Sequence, residues 1–118
     1  MGRTWKVTIQ GEPASKANSR RPTKKAGWIK SEKALLYEQT AKAQLGWQRM
    51  NPVMEGPVRV TMTVYYATRR PDFDVSLIED VLQGYVYKND RQIRERHNYR
   101  GKEDKLHPRA EIVVEEMT

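Results

Sequence analysis

Pro57-Val58-Arg59-Val60-Thr61-Met62-Thr63-Val64-Tyr65-Tyr66 leads through Ala67-Thr68 into Arg69-Arg70-Pro71-Asp72-Phe73-Asp74. In the first part, Val58, Val60, Met62, Val64 and Tyr66 share one face, while Arg59, Thr61, Thr63 and Tyr65 share the other. That alternation predicts a half-buried strand. The strand delivers the chain to a point where basic residues meet acids. Asp72 and Asp74, at i and i+2, point the same way from an extended backbone. A third acid from elsewhere completes an oxygen cage for a divalent cation. Mg²⁺ takes hard oxygen ligands, usually one or two carboxylates with waters and substrate phosphate. Acids set in a positive field suit phosphate when a metal bridges the two, which points to a metal-dependent nuclease. The same residues are also good turn chemistry, because Pro fixes φ and Asp caps the turn or helix that follows. Spacing alone leaves both readings open.

Outward from this stretch, the 118 residues predict one domain, 1–118, with a modest core. The formal charge of +7 points to an acidic partner, nucleic acid first among them. The absence of cysteine excludes a disulfide framework, a thiolate nucleophile and a Cys zinc site. His97 and His107 lack a second histidine at ligand spacing and read as surface or DNA-facing residues. No apolar run reaches membrane-spanning length and the start has no apolar signal region. The expectation is a soluble, cytoplasmic protein without a membrane partner.

Thr4 to Gln10 alternates with Trp5, Val7 and Ile9 on one face, a strand stopped by Gly11-Glu12-Pro13. Residues 13–30 form a basic loop rich in Ser, Asn and Pro, carrying Lys16, Arg20, Arg21, Lys24, Lys25 and Lys30, with Trp28 near its end. It reads as a DNA-contacting arm, with a plain solvated surface loop as the alternative. Ser31 is the N-cap of a helix running to about Arg49, with Ala34, Tyr37, Ala41 and Leu45 as its core stripe. Leu35, Leu36 and Trp47 widen its apolar surface toward a partner subunit. Asn51-Pro52 ends it. Val75 to Gln83 predicts a short helix, capped by Asp74 and closed by Gly84, with Leu77, Ile78, Val81 and Leu82 as its stripe. Ile93 to Arg100 reads as a charged strand, Gly101 to Lys105 as a turn, and Arg109 to Glu115 as a last strand.

Arg69-Arg70-Pro71-Asp72-Phe73-Asp74, then Asp80-Val81-Leu82-Gln83-Gly84, then Tyr87-Lys88-Asn89-Asp90-Arg91-Gln92-Ile93, resembles the core signature of RusA-type Holliday junction resolvases. Pro13-x-Ser15-Lys16-x-Asn18 is similar to the opening loop of that family. The resemblance implies an α+β fold, a small mixed β-sheet with helices packed on it. It implies an endodeoxyribonuclease that cuts four-way DNA junctions as a homodimer, using Mg²⁺, with Mn²⁺ as a substitute, and no small-molecule cofactor. Asp72, Asp74 and Asp90 are then the catalytic acids that hold the metal. Arg69 and Arg70, with Lys16, Arg20, Arg21, Lys24 and Lys25 of the basic loop, are then the residues that hold the DNA backbone.

The chain also departs from the family. An Asn directly after the second acid, and a catalytic Lys one helical turn further on, are replaced by Val75 and Ile78. The segment from Asp74 to Gly84 is shorter, and Asn89 stands where the family often has another acid. Lys88 is the substitute cation by proximity in sequence. Two further readings follow from the missing lysine: a relative that binds junctions without cutting, and a small basic nucleic-acid-binding module. A restriction-type pattern, Pro71-Asp72 with Glu103-Asp104-Lys105, ranks below these because its last part falls in a turn.

Overall fold

The computed structural model describes residues 2–14, 20–23, 27–69 and 73–117, with only the backbone of 20–23 and 27–30. Lys16, Lys24, Lys25, Arg70 and Asp72 therefore lie outside the described residues, as do the side chains of Arg20 and Arg21.

The period-two segments become strands as their alternation predicts. Trp5, Val7 and Ile9 are buried along β1 (Thr4–Gln10), and Val58, Val60, Met62 and Val64 along β4 (Val58–Tyr65). β5 (Ile93–Arg100) and β6 (Arg109–Glu116) complete a four-stranded sheet in the order β1-β6-β4-β5. β6 pairs antiparallel with β1 and β4, whereas β4 and β5 are parallel. The sheet is therefore mixed, and with its two helices the fold is α+β. Within the basic loop, β2 (Arg20–Thr23) and β3 (Gly27–Lys30) form an antiparallel pair where an irregular loop was expected.

Both helices lie over the apolar face of the sheet. α1 (Glu32–Leu45) starts at Ser31, whose hydroxyl accepts the Ala34 N–H at 3.2 Å. Its stripe of Ala34, Tyr37, Ala41 and Leu45 is buried as expected. The helix ends at Leu45, earlier than Arg49, because Gly46 offers the cap and a 3₁₀ turn follows over Gly46–Gln48. Trp5 closes this end by donating its indole N–H to the Gln48 carbonyl at 2.8 Å.

α2 (Ser76–Leu82) is the crossover between the parallel strands, and Leu77, Ile78, Val81 and Leu82 are all buried. Each such aliphatic side chain contributes about 1.5–3 kcal/mol when fully removed from water. Gly84 follows with φ +85, a left-handed backbone that a side chain rarely adopts. The short α2 thus hangs between β4 and β5 and is fixed by its apolar stripe. That placement sets where the acids before and after it stand.

Candidate active site

The acids flank α2. Asp74 precedes it, and one carboxylate oxygen accepts the Ser76 N–H at 3.0 Å. This is a turn bond one step short of the expected helix cap: Val75 occupies the N-cap position and no side chain caps there. Between Asp72 and Asp74, Phe73 meets Tyr66 edge-on at 6.4 Å, while the Arg100 guanidinium lies 5.3 Å from the Tyr66 ring centre and 5.6 Å from that of Phe73. Arg69 is exposed.

Asp90 is tied to the other end of α2. Gln83, the residue after the helix, accepts the Asp90 backbone N–H at 3.0 Å. Asn89 and Gln92 enclose Asp90 in a capping box: the Asn89 side chain accepts the Arg91 N–H, and Gln92 Oε1 accepts the N–H groups of Lys88 and Asn89. Gln92 Nε2 in turn donates to the carbonyls of Met54 and Gly56, both at 2.8 Å. Asn89 thus serves as the cap that shapes the turn.

Gln92→Ala removes all four of these bonds and leaves Met54 O part-buried without its donor. We expect a loss of about 1–3 kcal/mol, read by urea unfolding. Wild-type stability in this variant would mean that water replaces those bonds.

The side chain that reaches α2 from the sheet comes from β5. Val58 pairs with Ile93, but Arg59 pairs with Glu95, so the register shifts at Arg94. From there Glu95, His97 and Tyr99 lie beside Arg59, Thr61 and Thr63 on the open face of the sheet. Arg96, Asn98 and Arg100 lie beside Val60, Met62 and Val64 on the helix face. Arg96 reaches Glu79 of α2, with Nε at 2.8 Å from Oε2 and Nη2 at 3.4 Å from Oε1. Glu79 is the one buried charged residue among those described. Tyr87 donates its hydroxyl to the Glu79 carbonyl at 2.7 Å. Burial foremost, and then the charges of Glu79, Asp90 and Asp80, push the Tyr87 hydroxyl far above its usual pKa, so it stays a neutral donor.

The other sequence candidates sort by position. Lys88 is three-quarters exposed, with Nζ 3.9 Å from Glu55 Oε1. His97 pairs with Glu95 at 3.1 Å on the open face, away from α2. Asp104 belongs to a turn: it receives Arg109 Nη1 at 2.9 Å and the His107 N–H at 3.1 Å, and its carboxyl is held below the usual range by Arg109 first. The restriction-type pattern thus finds its Asp104 engaged in shaping a turn. Among the described residues, no three His, Asp or Glu side chains group closely enough to hold a cation by themselves.

Sequence reasoning did not single out Arg96 as a site residue and missed Glu79 altogether. The signal for Glu79 was an acid inside an apolar helix stripe.

Residues 10–115 match the family described as Endodeoxyribonuclease RusA. The chain belongs to the RusA endodeoxyribonuclease family. In this RusA-family chain Ile78, where the resemblance implies a lysine, is fully buried. A comparison with curated protein sequences finds no match. No helix among the described residues of this RusA relative is long and apolar enough to cross a membrane.

Proposed function

We propose that this protein is a Mg²⁺-dependent endodeoxyribonuclease of the cytoplasm that resolves four-way DNA junctions as a homodimer. The family match over residues 10–115 carries the reading. A junction offers two equivalent strands, and a two-fold protein presents one site to each. The exposed Leu35, Leu36 and Trp47 of α1 and the turn after it supply apolar surface for a second copy.

The donor set fits a hard cation. Asp74 has a second oxygen beyond the one that accepts Ser76, and Asp90 engages its neighbours through its backbone. Asn98 Oδ1, on the helix-facing side of β5, is buried without a hydrogen-bond partner among the described residues. Asp72, Asp74 and Asp90 would hold the ion. When bound, it supplies an activated water and charge stabilisation at the phosphate. The protein's own part is to fix the acids at both ends of α2 and to surround them with cations. Arg69, Arg70 and the basic residues Lys16, Arg20, Arg21, Lys24 and Lys25 hold the DNA backbone, an interaction that weakens steeply with salt.

Single-turnover incubation of a synthetic four-way junction with saturating protein in Mg²⁺ or Mn²⁺ tests this. Paired, symmetric nicks across the junction are expected. Tight binding with no cutting in either metal would leave the reading of a relative that lost catalysis with its lysine.

A further inference from the structure

We propose that Arg96, clamped by the buried carboxylate of Glu79, is the cation that contacts the phosphate being cut beside Asp90. The proposal rests on the nuclease reading above and assigns a residue within its site.

A site built from three carboxylates repels phosphate, and α2, which follows Asp74, carries no cation of its own over Ser76–Leu82. The cation must come from another element. Lys88 points toward Glu55 in solvent, where a long flexible side chain pairs weakly. Arg96 is better held. It stands on β5, which pairs with β4 along its length, its Nε and Nη2 bond Glu79, and Nη1 keeps its donors without a partner among the described residues.

Burial differs sharply across the pair: the Glu79 side chain is 9% exposed and that of Arg96 is 46% exposed. The carboxylate is thus sealed within the fold, while nearly half of the arginine side chain faces solvent. A planar fork held on one side offers its remaining donors in a fixed direction, which is how arginine recognises phosphate.

Asp90 and Arg96 are both tied to the second half of α2 and its C-terminal end, Asp90 through Gln83 and Arg96 through Glu79. The bond to Glu79 first, and then the charges of Glu79 and Asp90, raise the Arg96 pKa, and both acids act together on Tyr87. An acid on an apolar helix face brings a desolvation cost that a hydrophobic residue avoids. Glu79 is explained if it is the positioning residue for Arg96.

The test separates this role from a merely structural one. Arg96→Gln alone strands a buried charge, so the informative variant is Glu79→Gln with Arg96→Gln, a neutral pair of similar shape. We expect the double variant to keep a thermal midpoint near wild type and to bind the junction in EDTA within about fivefold of wild type. Its single-turnover cleavage at saturation should fall about 10²-fold or more, the loss typical of removing one donor to developing charge. Arg96→Lys, which still pairs with Glu79, should cut faster than the double variant and slower than wild type.

Cleavage by the double variant at close to the wild-type rate would reduce Arg96 to a structural partner. Should the double variant not fold, a wild-type rate in Arg96→Lys overturns the assignment and a rate loss at unchanged affinity supports it. A wild-type protein that cuts nothing would overturn both this assignment and the nuclease reading. Cutting by wild type and double variant alike would overturn this one alone.

Discussion

Asp90→Asn is expected to reduce single-turnover cleavage of a junction in Mg²⁺ by about 10³-fold or more while leaving binding unchanged or tighter. The size follows from removing a group that fixes charge stabilisation at the reacting phosphate. Asp74→Asn and Asp72→Asn should behave alike. The amide is a clean probe here. Asp90 engages Gln83 through its backbone N–H, which the substitution preserves. Asp74 needs only one acceptor oxygen for Ser76, and Asn still offers one. The fold and the start of α2 should therefore survive, and a thermal melt checks that they do. Binding should hold or tighten because a negative charge facing phosphate is removed. Full cleavage by any one of the three variants would strike that residue from the site.

Much of the fold was legible because its strands obey a simple rule. β1 and β4 have one face on the core, so alternation in the sequence maps directly onto burial. β5 broke the rule. Counting by twos from the buried Ile93 places Glu95, His97 and Tyr99 under the helices, but the register shift at Arg94 exchanges the faces. One extra residue thus hid Arg96 from any periodic reading. The pair of β2 and β3 was hidden for another reason: Arg20-Arg21-Pro22-Thr23 has no apolar alternation, and its pairing is set by the backbone.

The acids themselves were legible as a pattern and not as a place. Asp72 and Asp74 stood out by spacing, whereas Asp90 entered only through the family signature. What the sequence did not announce was the frame around Asp90. Gln83, Asn89 and Gln92 are unremarkable polar residues in a list, yet they connect α2, the turn and the Met54–Gly56 segment by hydrogen bonds. Networks of this kind depend on tertiary placement, so composition and periodicity carry no trace of them.

Ile78→Lys, the substitution that supplies the lysine the resemblance implies, is expected to destabilise the protein far more than it helps catalysis. Ile78 is fully buried, on the same stripe as Leu77, Val81 and Leu82. Ile78→Ala should cost about 2–4 kcal/mol through lost burial and the cavity left behind. Lysine adds an ammonium with no acid assigned to it there, and an uncompensated buried charge costs a further few kcal/mol. The sum is comparable to the whole stability of a domain this size, about 5–15 kcal/mol. Urea unfolding should show a midpoint for Ile78→Lys well below that of Ile78→Ala, or no folded baseline at all. The neighbouring Glu79 does not rescue it, because its carboxylate is already committed to Arg96. A folded, faster-cutting Ile78→Lys would mean that α2 turns this position toward the DNA. The lysine would then be missing without replacement, and Arg96 would lose its assignment.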